Sequence, residues 1–300
     1  MSDMRFLFLG TGTSAGVPMI GCHCAVCTST DPRDARLRTA GAVFFRDSRG
    51  QERTVLLDAG PDLRLQALRA NLARCDAIVF THNHVDHTFG LDEVRRFNVV
   101  QKAPIELHAD AHTMDHLRRV YTHIFDRHLN VNDSFVADLM PRIISDEQIE
   151  RGEPLDLWGA AFTPIPLLHG KLPVLGWRID QPPLPEGGGR GEGGWSRPAA
   201  AAPPVTPTPS AFPLAYCTDV SAIPPKSWQR LTGLKTLVLD ALRHRHHPTH
   251  LTLEQAVNIA DQVGAERTYF VHMAHDLAHD ATQQTLPEGM FLAYDGLELT

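Results

Sequence analysis

The sequence contains no apolar run approaching the roughly 18 residues that cross a bilayer, which excludes an integral membrane helix. It lacks an excess of positive charge. Lys and Arg total 28 against 35 Asp and Glu, a net charge of −7, and general nucleic-acid binding normally shows a basic footprint. Cysteine is scarce and odd in number: Cys22, Cys24, Cys27, Cys75 and Cys217. Three of these crowd into six positions, which is not how a disulfide framework is spaced, so reduced thiols and a cytoplasmic address are expected. Residues 1–10 carry no basic stretch, long apolar stretch or cleavage site, so secretion is not expected. At 43% hydrophobic and 21% charged the composition is that of an ordinary globular protein. The 300 residues can bury a sizeable core without staples, as one large domain or two. Tyrosine and tryptophan number four each, whereas histidine numbers 17. Histidine is the commonest metal ligand, so its clusters matter most.

Apolar patterning predicts strands at 5–9, 42–45 and 54–58, the last two joined by a polar turn near 47–51. Residues 61–72 begin with a proline and repeat leucine at 65, 68 and 72, a helical spacing. Residues 77–81 form a continuous apolar run, as in a strand buried on both faces. Further strands are predicted at 105–108, 163–167, 174–179, 214–217, 236–240, 268–271 and 290–299, and helices at 111–121 and 253–263. This is an α/β (α+β) pattern with no internal repeat.

Residues 181–213 stand apart, with six glycines and nine prolines in 33 residues. They read as a solvated Pro/Gly-rich insertion, too poor in apolar side chains to form a core. The charges of Arg190 and Arg197 cancel those of Glu186 and Glu192, so this is no polybasic arm. The insertion interrupts a predicted hairpin, 174–179 with 214–217. His169 precedes the first strand and Asp219 follows the second, so the pairing brings these two together and throws the insertion to the far end.

The strongest chemical signal is Thr81-His-Asn-His-Val-Asp-His87. On extended chain, side chains two residues apart point the same way, so His82 and His84 can converge on one metal. Asp86 and His87 follow on the turn and can face a second. Imidazole with carboxylate suits Zn, Mn or Fe, and two such ions about 3.5–4 Å apart can clamp an in-line displacement. A lone histidine would read as a solvated turn; three histidines and an aspartate directly after a buried strand read as ligands. Further candidates sit at strand ends: His169, Asp219 and His272. Asp58, also at a strand end, is placed behind a ligand histidine to orient it. A second constellation, Cys22-His-Cys-Ala-Val-Cys27, puts three thiolates within the span of a closed tetrahedral zinc site, with His275 as the candidate fourth ligand. Cys75 and Cys217 read as core residues. The glycines of 10–16 lack the Gly-Lys-Ser/Thr ending of a nucleotide loop and read as a tight turn near the metal edge.

Residues 81–87 resemble the His-x-His-x-Asp-His signature of metallo-β-lactamase-fold hydrolases, and the later order His169, Asp219, His272 is similar too. That resemblance implies a four-layer αββα sandwich over residues 1–300, a single domain with 181–213 as its insertion. It implies that His82, His84 and His169 hold one metal, that Asp86, His87 and His272 hold the other, and that Asp219 bridges them. Residues 10–18, then Cys-x-Cys-x-x-Cys, then His272-Met-Ala-His275 resemble the phosphoribosyl 1,2-cyclic phosphate phosphodiesterase family of the carbon–phosphorus lyase pathway. This resemblance implies two catalytic divalent metals (Mn or Zn), one structural zinc, and a histidine that protonates the leaving alkoxide. His250 best matches that histidine, with His247 as the alternate. Thr252, with Gln255 three residues on, is expected to cap the following helix.

Two divalent ions less the charges of Asp86 and Asp219 leave the site at about +2, enough to attract a phosphodiester monoanion. A water between the ions would lose its proton near neutral pH and attack phosphorus in line. The expected partner is a small-molecule phosphodiester, with neither nucleic acid nor membrane; the sequence leaves room for a homodimer. The enzymatic rivals are a tRNA 3′-processing endonuclease, which wants a basic docking arm, and a thioester hydrolase. The rival from another class is a cofactor-biosynthesis or binding protein resembling the pyrroloquinoline quinone pathway's B protein, holding structural zinc only.

Overall fold

Alternation within the first strand sets the layering. β1 (Arg5–Gly10) turns Phe6 and Phe8 to one face and Leu7 and Leu9 to the other, the period-two pattern of a strand buried on both sides. The computed structural model describes residues 4–126, 128, 135–181 and 210–300. In it, β1 is followed in its sheet by β2 (Ala40–Arg46), β3 (Glu52–Leu57), β4 (Ala77–Val79), β5 (Ile105–Asp110) and β6 (Leu139–Ile144). The second sheet is built from β7 (Leu155–Leu157), β8 (Ala160–His169), β9 (Leu172–Asp180), β10 (Leu214–Cys217), β11 (Thr236–Asp240), β12 (Arg267–Val271) and β13 (Met290–Leu292). The last strand, β14 (Glu298–Leu299), returns to the first sheet beside β1.

Each sheet changes from antiparallel to parallel partway across. β1, β2 and β3 are antiparallel neighbours, after which β3 to β6 run parallel. β7 to β10 are antiparallel neighbours, after which β10 to β13 run parallel. Phe6, Phe8, Val55 and Leu57 of the first sheet meet Phe162, Trp177, Tyr216 and Val238 of the second in one buried core. Trp177 is fully buried, and its Nε1 donates to the Phe80 carbonyl at 3.2 Å, tying the sheets together beside the metal motif. Truncating such a residue to alanine costs about 3–5 kcal/mol.

Helices cover both outer faces. On the first sheet lie α1 (Leu63–Arg69), α2 (Val85–Thr88), α3 (Arg95–Gln101), α4 (Ala111–Val120) and α5 (Thr122–Phe125). Leu63, Phe97, Met114 and Leu117 pack there against Leu56, Ile78 and Leu107. α6 (Asp146–Arg151) connects the sheets, and α7 (Leu253–Val263) lays Leu253, Ala256 and Ala260 on the outer face of the second. α8 (His279–Gln283) precedes the final strands. The architecture is therefore the αββα sandwich. No helix among the described residues is long and apolar enough to cross a membrane.

Two local expectations change and one holds. The single strand predicted at 290–299 is two short strands on different sheets, with Gly296 at φ +91° in the turn between them. The helix predicted at 61–72 is shorter, and two leucines of its repeat face outward: Leu65 and Leu68 are exposed, whereas Leu63 and Gln66 are buried and Leu72, past the helix end, packs against the core. The predicted hairpin is present as β9 with β10, Leu214 opposite Ile179. Most of the insertion, 182–209, lies outside the described residues. Its flanks meet at the end of the hairpin away from His169, where Gln181 Nε2 donates to Ser210 Oγ at 2.6 Å.

Candidate metal centre

The parallel strands of both sheets end at the same edge, and the predicted ligands stand just beyond them. β4 runs through Phe80 and Thr81 into His82, and His84 is the N-cap of α2, whose first turn carries Asp86 and His87. His169 ends β8, Asp219 follows β10, and His272 follows β12. Asp58, Asp219 and His272 have φ of +67°, +57° and +60°. Non-glycine residues rarely adopt this left-handed region, and such strain gathers where a site needs side chains aimed against local preference. Close backbone contact does similar work at Gly60, where a Cβ would meet the Asp86 carbonyl oxygen at 2.0 Å. Only glycine lets the 58–60 turn press against α2.

Two of the imidazoles, His87 and His169, are held from behind. Asp58 accepts the Thr81 amide and hydroxyl, each at 2.8 Å, and His87 Nδ1 at 2.7 Å. His169 Nδ1 donates to the Thr249 carbonyl at 2.7 Å. These bonds leave Nε2 as the free ligand atom on each ring. His87 Nε2 is 3.1 Å from Asp219 Oδ2 and 3.3 Å from Asp86 Oδ2. His272 Nε2 is 3.3 Å from Asp219 Oδ1 and 3.6 Å from Asp86 Oδ2. Ligands of one metal at bond lengths near 2.1 Å stand about 3.4 Å apart. Asp86, His87, Asp219 and His272 form one group with ligand atoms within 4.8 Å of one another. His82, His84 and Asp219 form a second, and His169, Asp219 and His250 a third. Asp219 belongs to all three. The rings of His82, His84 and His169 also crowd together, with centroids 4.6 to 5.8 Å apart.

The electrostatics call for positive charge. Burial works against protonating His87 and His272, yet Asp219 and the neighbouring carboxylates raise both, His272 to about 9. Burial opposes ionising Asp86 and Asp219 as well, but the facing imidazoles hold both carboxyls below the usual range. His82, also buried, is pushed well down by desolvation. The Nε2 atoms of His82, His87 and His272 are buried without hydrogen-bond partners. Shielded, partnerless nitrogens that converge on shared carboxylates are what divalent cations satisfy. These residues fit a metal pair.

His250 is buried beside this cluster. Its ring stacks on His272 at 4.6 Å, and its Nδ1 lies 3.1 Å from Asp240 Oδ1. His247 lies outside the cavity, with Nδ1 3.1 Å from Thr249 Oγ1. Asp240 was missed as a functional residue. It also accepts the Leu251 amide at 3.0 Å and stands 3.5 Å from His272 Nδ1. A carboxylate ending a buried strand was its only sequence signal. The cavity, about 440 Å³, is lined by these ligands and by Ser14, Asn83 and His116, none of which the sequence singled out.

The second cluster is on the surface. Cys22, Cys24 and Cys27 place their Sγ atoms 3.2, 3.5 and 3.4 Å from His275 Nδ1. A tetrahedral zinc with three thiolates and one imidazole has S···N edges of about 3.6 Å. The Cys27 amide donates to Cys24 Sγ at 3.4 Å and helps hold that thiol down to about 7. Cys75 and Cys217 are buried in the outer cores, as expected. His275 follows His272 by three residues, and the 10–16 turn is laced to this segment through Met273 N to Thr11 O and Thr13 N to Met273 O.

A family model described as the beta-lactamase superfamily domain matches residues 53–188 and 206–273. Among solved structures, a new diphosphatase from the PhnP family is 38% identical, with a TM-score of 0.78, over 99% of this chain and 96% of that one. Zn(2+)-bound PqqB from Methylobacterium extorquens shares the fold, with a TM-score of 0.66 at 19% identity over 99% of each chain. Among curated proteins, an octanoyltransferase from Porphyromonas gingivalis is 28% identical over 98% of this chain but 51% of its own length. The chain spans about half the length of the curated relatives it matches.

Proposed function

We propose that this chain, which belongs to the beta-lactamase superfamily and has the metallo-β-lactamase fold, is a metal-dependent hydrolase that cleaves a small cyclic phosphodiester. The observation that carries the reading is the convergence of seven side chains from both sheets on Asp219, with three shielded, partnerless imidazole nitrogens among them. His82, His84, His169, Asp86, His87, Asp219 and His272 would hold the metal pair, and Cys22, Cys24, Cys27 and His275 a structural zinc. Two divalent cations supply charge neutralisation for phosphoryl oxygens and bring the pKa of a water toward about 7.

The chain's own residues do the rest. Asp58 and the Thr249 carbonyl fix the tautomers of His87 and His169, so that Nε2 points inward. Asp240 accepts the Nδ1–H hydrogen bond of His250 and balances the charge of an imidazolium whose Nε2 proton passes to the departing alkoxide. His250, between the ligand His272 and the cavity, is better placed for that role than His247. A cavity of about 440 Å³ suits a compact diester. Because both sheets supply ligands, residues 1–300 would act as one domain, with a small molecule as its partner.

The test is to load the protein with Mn, Zn or Fe, add a cyclic ribose phosphate, and follow the phosphorus NMR spectrum. Ring opening to a monoester is expected; no conversion with any metal ends the substrate assignment. A second reading, hydrolysis of an acyl thioester, draws on the octanoyltransferase from Porphyromonas gingivalis. Thiol release from an acyl thioester, with the diester left intact, would favour it.

A further inference from the structure

One wall of the cavity carries polar groups that are not among the candidate metal ligands. α4 runs along the rim, and His112 and His116, four residues apart, share one face of it. His112 Nε2 lies 3.3 Å from Nδ2 of Asn83, the residue between His82 and His84. His116, one turn further on, lines the cavity, and its Nε2 is shielded from water without a hydrogen-bond partner. A shielded ring nitrogen at the edge of a binding cavity is a group awaiting a partner. Ser14 supplies a hydroxyl from the 10–16 turn on another wall.

What this wall lacks narrows what it can meet. No Lys or Arg lines the cavity among the described residues. Arg243 faces a separate hollow of about 190 Å³, lined by Thr13 and Ala15. Its guanidinium is already committed to the carbonyls of Arg245 and His246. The Asn83 amide and the His116 imidazole can donate and accept, which matches hydroxyl groups rather than a second anion.

We propose that His116, with Asn83, is a specificity contact that recognises the hydroxyl-bearing, sugar-like half of the substrate, while the metal side of the cavity takes the phosphodiester. This rests on the phosphodiesterase reading and adds to it the side chains that select the substrate. The contact acts in binding, and the bond-breaking step does not pass through it.

The experiment compares wild type, His116→Ala, His116→Gln and Arg243→Ala on a cyclic ribose phosphate and on ethylene phosphate, which has no hydroxyl. His116→Ala should raise KM for the ribose diester about tenfold with kcat held, leave KM for ethylene phosphate unchanged, and be partly rescued by glutamine. An equal penalty on both substrates, or a penalty from Arg243→Ala in place of His116→Ala, overturns the proposal. Imidazole nitrogen NMR gives a readout apart from turnover. The His116 Nε2 resonance should shift with cyclic ribose phosphate and not with ethylene phosphate. If wild type cleaves neither diester, the phosphodiesterase reading fails, and this binding shift alone decides His116: its absence rejects the contact.

Discussion

The two candidate metal clusters are neighbours built on opposite plans. The cysteine cluster takes three of its four side chains from six consecutive positions of a half-buried loop. The histidine–aspartate cluster gathers its ligands from residues 82 to 272, at strand ends on both sheets, and is mostly buried. In the first, local chain geometry makes the site, and one closing ligand joins it to the fold. In the second, the site exists only once both sheets have formed. Local sites tolerate distant change; a site assembled over long range feels every support behind its ligands. The loop from His272 to His275 belongs to both.

The sharpest way to break the contrast is at Asp219, common to three ligand groups. Asp219→Ala should reduce diester hydrolysis to background while the cysteine cluster keeps its zinc. Loss of that zinc as well would mean that the two sites are one unit. His250→Ala should lower kcat by about 10²- to 10⁴-fold with metal content unchanged, measured by turnover beside elemental analysis. Full activity would remove His250 from the proton-transfer role. Asp58→Asn leaves the ligands in place and weakens only the group behind His87, so a loss of about 10- to 100-fold in activity or metal affinity is expected. Cys24→Ser addresses the local site. It should lose zinc and about 2.7 kcal/mol of stability at a hundredfold excess of zinc over Kd, read by chemical denaturation, with kcat changed by less than in any of the three preceding variants. The smallest effect is expected from Thr252→Ala, which removes the cap of α7 and costs about 1 kcal/mol without altering metal content.

The same contrast explains what could be read from sequence. The 82–87 turn and the 22–27 loop are contiguous, so their spacing alone carries chemistry. His169, Asp219 and His272 were reachable because each stands at the end of an apolar run, and their order matches a known family. Asp240 was not, because its role depends on register: β11 and β12 run parallel with Asp240 beside Val271, which sets its carboxylate next to His272. His116 was hidden for a related reason, since nothing in a ten-residue helix says which face will border a cavity. The 290–299 segment reads as one strand because alternation cannot reveal that a turn at Gly296 moves the chain between sheets. Leu65 and Leu68 show the converse, a helical repeat that the fold leaves outside.

The most direct measurement is the number of metal ions held per chain, counted by plasma mass spectrometry on purified protein and on Asp219→Ala. Two long-range positions and one local position require about three ions in the wild type and about one in the variant. One ion in both, bound by the cysteines alone, would show that the buried histidines and aspartates assemble no catalytic pair.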